Sequence, residues 1–444
     1  MDSSVCKTLE FDKIREVLET YADTPRGADR ARSLSPSSDA SKVRIGLKET
    51  SEARRLLAEG EPMPLAGTPD IRSHLQTLQV EHQALAAGSL LDLARQARIS
   101  GRVHSHLEGR PAELRLLREL ADELPDLIAL QASIEKAIDR DTGEVKDDAS
   151  PELRSLRARL FKLRNRLRSL LDSYLKQRDS RKILQEPLIT ERNGRAVLPV
   201  RSECRAQLVG IVHGTSASGA TLFIEPLSTV EVNNDIVALE EEERQEVERI
   251  LRSLTDEARS RRSELALASD ILSRLDLIQA KALLSEAYDG SAPRLVEDKT
   301  LRLVSARHPL LLGTVAEKAG LPPPTQEAVP VSFQVGGERG ALVFTGPNTG
   351  GKTVALKTAG LLSLMVQAGL HVPADPLSRF PVFKKVFADI GDEQSIGSSL
   401  STFSAHLRKV VEMERSLEEP SLVILDEVGT GTDPAEGGAL GTAL

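Results

Sequence analysis

The segment Ala341-Leu-Val-Phe-Thr-Gly-Pro-Asn-Thr-Gly-Gly-Lys-Thr353 places the tightest constraint on the fold. Four apolar residues lead to Gly346, the pattern Gly-x-x-x-x-Gly-Lys-Thr follows, and a helix is expected from about Val354 to Leu370. Strand, glycine-rich turn and helix N-terminus together make a phosphate cradle. The loop Gly346, Pro347, Asn348, Thr349, Gly350 and Gly351 is expected to wrap the phosphates, its glycines letting backbone N–H groups turn inward. Lys352 offers a point charge to the β- and γ-phosphates, and the Thr353 hydroxyl is placed to ligate Mg²⁺. A plain glycine-rich turn is the alternative, and the flanking strand and helix disfavour it.

The matching half lies 74 residues after Lys352, in Leu422-Val-Ile-Leu-Asp-Glu427. An apolar run closed by two acids is expected as a buried parallel strand. Asp426 at its end can hold the water shell of Mg²⁺, and Glu427 can polarise an attacking water, which points to ATP hydrolysis. Between the halves, Asp389 to Ser404 is rich in Ser and Gly and precedes a helix expected at 404–416. Ser401 or Thr402 caps that helix, and the same loop can bind an anion donated by a second subunit.

The rest of the chain reads as helices around an inserted arm. Helices are expected at about Leu9–Tyr21 (closed by Thr24-Pro25), 41–59, 70–79, 88–106 and 111–138. His74, His82, His104 and His106 have no Cys partners and no metal-ligand spacing. After a polar break at 139–150, Pro151 opens a long helix to about Lys182, with eleven Lys/Arg against three Asp/Glu from Glu152 to Lys182. Its leucines sit at near-heptad spacing, and a return helix from about Asn233 to Leu275 carries Glu240-Glu-Glu-Glu243. An antiparallel coiled-coil arm explains both helices. The basic face either pairs with the acidic helix or meets a nucleic-acid backbone, for which Arg164, Arg166, Arg168 and Lys176 are the candidates. Between them, at about 183–232, strands are expected at 195–201, 206–213 and 220–225, a β module at the arm's tip. Its Ser/Thr/Gly loop is either a phosphate contact or a tight turn. Further strands are expected at 301–304, 307–310, 329–333 and 341–344.

Composition narrows the functional classes. Aromatics are 3% with no Trp, so stacking platforms for single-stranded nucleic acid are not expected, and a formal charge of −8 argues against uniform polyanion binding. Two cysteines, Cys6 and Cys204, make neither a disulfide scaffold nor a metal cluster. No signal segment or membrane-length apolar run occurs, so a cytoplasmic protein without membrane partners is expected.

The Gly346–Thr353 loop, Ser401-Thr-Phe403, Asp426-Glu427 and Gly429-Thr-Gly-Thr-Asp433 together resemble the MutS ATPases, as do Thr24, Gly27, Arg30 and Arg307-His-Pro309. The segment Ile211 to Pro226, and the absence of a mismatch-reading domain, resemble the bacterial MutS-two branch. The resemblance implies a multidomain α + α/β chain: a helical core and lever (1–150), a clamp arm with its β tip (151–275) and an ABC-type P-loop ATPase domain (276–444). It implies a homodimer in which Ser401 reaches ATP held by the partner's Lys352 and Asp433 belongs to the interface loop. It further implies action on branched DNA, suppressing recombination, or on collided ribosomes and their rRNA, with an endonuclease activity in a Smr domain. The chain stops at Leu444, before the last ATPase strands and any Smr domain, so it is expected to be a C-terminally truncated piece. A mismatch-repair MutS-like factor, an ABC-type transporter subunit and a nucleotide-binding scaffold are the alternatives. The Ser401 loop lacks Leu-Ser-Gly-Gly-Gln, which disfavours the transporter, and Glu427 disfavours a mere scaffold.

Overall fold

The computed structural model describes residues 3–110, 112–322, 327–337, 340–346, 351–390 and 410–427. In chain order its helices are α1 (Ser3–Thr8), α2 (Phe11–Glu19), α3 (Pro25–Arg32), α4 (Ala40–Ala58), α5 (Arg72–Thr77), α6 (Ala87–Leu107), α7 (Arg115–Asp122), α8 (Ile128–Ala137), α9 (Pro151–Leu175), α10 (Ser180–Ile183), α11 (Leu227–Ser260), α12 (Arg262–Ala287), α13 (Gly313–Lys318) and α14 (Lys352–Gln367). The strands are β1 (Thr190–Arg192), β2 (Arg195–Arg201), β3 (Gly210–Thr215), β4 (Thr221–Pro226), β5 (Arg294–Val296), β6 (Leu301–Ala306), β7 (Val331–Val335), β8 (Arg379–Pro381), β9 (Lys385–Asp389) and β10 (Ser421–Leu425). Among the described residues no helix is long and apolar enough to cross a membrane.

The chain divides into two compact units, one of Met1–Asp70, Arg98–Asp126 and Glu264–Leu444, the other of Ile71–Ala97 and Leu127–Ser263. The expected helical segment 1–150 is therefore shared between them.

In the second unit α9 and α11 pack antiparallel. Pairings run Ser150 to Glu246, Arg157 to Glu243, Arg164 to Glu240 and Tyr174 to Ser228, one number rising as the other falls. Ser150 caps α9, accepting from the Leu153 N–H, and Pro151 takes the first turn, where its missing N–H is harmless. Leu156, Leu160, Leu167 and Leu171 bury themselves with Val232, Ile236 and Leu239 of α11 and with Leu198, Val200 and Ile224 of the β module. That module is one four-stranded sheet in the order β1-β2-β4-β3, its described pairs antiparallel. Several boundaries differ from expectation. The first arm helix ends at Leu175, residues 202–207 form a 3₁₀ turn, and β3 begins only at Gly210. The return helix starts earlier, just after Pro226, and breaks at Arg261.

In the first unit the expected helix 111–138 is also interrupted: α7 ends at Asp122, and α8, in the other unit, begins at Ile128. Pro125 lies in the gap and has no N–H to continue the ladder. Thr24-Pro25 starts α3, where it was expected to close the preceding helix. The Thr24 hydroxyl accepts from Gly27 N at 2.9 Å and donates to buried Asp276 at 2.6 Å. Asp276 also accepts from the backbone N–H groups of Asp23 and Thr24, at 3.0 and 2.9 Å. A Cβ on Gly27 would lie 1.9 Å from the Asp276 carboxylate, so only glycine fits there. Arg30 reaches the same helix through Ser273 and Asp270. The family-like trio Thr24, Gly27 and Arg30 is thus a clamp on α12.

Helix α14 is the axis of this unit and is buried nearly all round, with Leu361, Leu362, Leu364, Met365 and Val366 fully enclosed. Gly360 lets it approach both neighbours closely, since a Cβ there would meet Leu9 at 2.6 Å and Ile424 at 2.7 Å. Gly360→Val is expected to lower stability by about 1–3 kcal/mol through overpacking, which outweighs the small gain in helix propensity of valine over glycine. Thermal unfolding of the variant against the parent checks this. Two sheets accompany the helix, one in the order β5-β8-β6-β7 and a parallel pair of β9 and β10. The expected strand at 307–310 is a 3₁₀ turn at Pro309–Leu311.

Candidate active site

β10 carries Leu422, Val423, Ile424 and Leu425 in parallel register with β9, so that Leu425 lies opposite Asp389. The chain then leaves the ladder at Asp426, whose N–H donates to the Asp389 carbonyl at 2.9 Å. On the other side, Gly351 caps α14 in the left-handed region, at φ 79°, and Lys352 and Thr353 open the helix. The Thr353 hydroxyl donates to Asp426 Oδ2 at 2.6 Å, closing a 73-residue loop between helix start and strand end. Lys352 folds back over the turn, its Nζ donating to the Gly346 carbonyl at 2.7 Å. Gly346 itself sits at φ 146°, which favours glycine.

Glu427 follows Asp426 at φ 51° and is exposed. Left-handed backbone costs a β-carbon-bearing residue about 1–2 kcal/mol, and such outliers gather where function demands them. Pro347, Asn348, Thr349, Gly350, Ser401 and Asp433 lie outside the described residues, as does the loop 429–433.

Chemically, the contact brings a hydroxyl and a carboxylate oxygen to 2.6 Å beside an exposed helix N-terminus and an ammonium group. Adjacent ligands of an octahedral Mg²⁺ at about 2.1 Å lie about 3 Å apart, so this oxygen pair fits that ion with little movement. Among the described residues no cluster of three or more His, Cys, Asp or Glu could hold a metal.

One expectation fails at this site. Among the described residues, 341–345 form no ladder, and Leu342 and Val343 are exposed, at 39% and 81%. β10 pairs directly with β9, and Phe344 instead meets Phe333 of β7 edge-on at 5.1 Å. Two features went unforeseen. Asp389, at the buried end of β9, is a second strand-end carboxylate; its signal is an apolar pair, Val386 and Phe387, leading to an acid. Behind the site, Lys357 of α14 reaches Glu10, which Lys13 also holds, at 3.3 and 2.7 Å. Burial pushes the Glu10 carboxyl up, but the two lysines outweigh it and hold it below its usual range. His308 lies close by, and burial pulls it down to about 4, so it is neutral.

The arm candidates separate. Arg164 pairs with Glu240 at 2.7 Å, whereas Arg166, Arg168 and Lys176 are exposed and make no ion pair among the described residues.

Residues 342–444 match the family model MutS domain V. Over 444 aligned residues the chain is 44% identical to an endonuclease MutS2 of Symbiobacterium thermophilum, covering all of this chain and 54% of that protein. It is 42% identical to the endonuclease MutS2 of Geobacillus thermodenitrificans and 41% to that of Bacillus velezensis, covering all of this chain and 55% of each. The chain thus spans about half the length of these relatives.

Proposed function

The chain belongs to the MutS2 family, and from that premise we propose that it is the ATP-hydrolysing part of a dimeric clamp acting on nucleic acid. The observation that carries this reading is the Thr353–Asp426 contact, which joins the glycine loop's helix to the acid-ended strand. Backbone N–H groups at the start of α14 take up phosphate oxygens, and Lys352 exchanges the Gly346 carbonyl for the β- and γ-phosphates. Thr353 and Asp426 hold Mg²⁺, which when bound neutralises charge on the phosphates. Glu427, lifted from the strand by its left-handed backbone, accepts a proton from the attacking water.

In this reading Gly346 to Gly351 wrap the nucleotide, Ser401 completes the site from a second copy, and Asp433 lies in the dimer-interface loop. Residues 151–275 are the clamp arm, and Arg166, Arg168 and Lys176, which make no ion pair among the described residues, face the nucleic-acid backbone with Arg164. Branched DNA and the rRNA of stalled ribosomes are the two partners of this chemistry. The relatives' endonuclease name extends the proposal to the whole protein. Asp426→Asn in the intact protein is expected to keep the Thr353 contact but lower Mg²⁺-dependent ATP turnover about a hundredfold, since an amide is a poor Mg²⁺ ligand. Turnover equal to the parent at saturating Mg²⁺ would overturn the assignment.

A further inference from the structure

A groove of about 290 Å³ opens at the far end of α14, lined among others by Ser37, Lys42, Glu49, Arg274, Lys281 and Gly369. Sixteen residues of helix separate it from the glycine loop, about 24 Å at 1.5 Å per residue. It is therefore a separate place with a charge of its own.

Three cations face one carboxylate here. Glu49 is buried and already engaged, accepting from Arg274 at 2.6 Å. That contact leaves the Arg274 side chain 46% exposed. Lys42 is exposed and makes no ion pair among the described residues. Lys281 is only 7% exposed, and its single hydrogen bond among the described residues goes to the Ala368 carbonyl at 2.7 Å. A buried ammonium has three donors and seeks partners for all of them. Burial draws it down to about 8, with Glu49 opposing the fall and Arg274 adding to it. The walls are fixed. Gln367 binds the Ser37 carbonyl at 2.8 Å, and Thr50 binds the Gly369 carbonyl at 2.7 Å. Gly369, at φ 75°, has no side chain to close the groove, and a Cβ there would stand 3.3 Å from Lys281 Nζ.

We propose that this groove is a second anion site, binding a small oxyanion of the phosphate class between Lys42, Arg274 and Lys281. Such an ion would use the free donors of Lys281 and the exposed edge of Arg274, whose planar fork suits phosphate. The volume accommodates a diphosphate or a phosphate monoester.

Calorimetric titration of the intact protein tests it, using inorganic pyrophosphate and ribose 5-phosphate in parallel to tell a free anion from an ester. Lys352→Ala is used as background, so that the glycine loop does not bind the probes. One or both probes are expected to bind this background, and Lys42→Glu is expected to weaken binding at least about tenfold. The exposed Lys42 side chain makes no hydrogen bond or ion pair among the described residues, and its backbone N–H keeps the Asp39 cap in the variant, so folding is not at issue. Lys281→Met is expected to abolish the same event. No binding of either probe to the background, or binding that Lys42→Glu leaves unchanged, would overturn the proposal.

Discussion

Lys352→Ala in the intact protein is expected to lower ATP turnover about a hundred- to a thousandfold and to weaken nucleotide binding with it. The residue opens α14 and spans the glycine turn to the Gly346 carbonyl. A side chain already bent across the turn need only give up its bond to the Gly346 carbonyl to reach the phosphates. Removing one preorganised donor from developing phosphate charge forfeits an effect of this size. The turn itself does not depend on the ammonium, because Gly346 and Gly351 supply the positive φ values. The variant should accordingly unfold at the parent's temperature. Steady-state turnover and nucleotide titration measure both quantities, and turnover within threefold of the parent would remove Lys352 from the site.

Glu427 offers a sharper separation of strain from chemistry. Glu427→Gln keeps shape and backbone but cannot accept a proton, so turnover is expected to fall about a thousandfold while ATP binding persists. Glu427→Gly also removes the carboxylate, but it relieves the left-handed strain seen at φ 51° and should raise stability by about 1 kcal/mol. The pair of variants should therefore share an inactive phenotype and differ in thermal midpoint. An active Glu427→Gly enzyme would mean that the residue is only a bend in the chain.

Local pattern made much of this molecule legible. The helices at 40–58 and 87–107 and the start of α9 at Pro151 follow from periodicity and capping, within a residue or two of expectation. The acid-ended strand at 421–425 was legible because four apolar residues closed by Asp426 admit few other readings. What escaped was decided by distant partners. Thr24-Pro25 signals a helix start or a helix end equally well, until Asp276 fixes which. The run 341–344 reads as a strand on composition, yet strands exist only by pairing, and among the described residues it has no partner strand. The anionic preference of the groove beside Lys281 is invisible in one dimension, since Lys42, Arg274 and Lys281 come together only through α4, α12 and the end of α14.

The discontinuity of the first unit bears on synthesis. Thr24 must wait for Asp276, which is 252 residues away, and Thr50 must wait for Gly369, 319 residues away. Neither contact can form while the later partner is still in the ribosomal tunnel. The unit holding 71–97 and 127–263 has all its partners earlier. At about 5–20 residues per second, roughly 100 further residues give it a lead of several seconds. During that interval α2 to α4 have only their local packing, and the apolar faces that α12 and α14 later cover stay open to water.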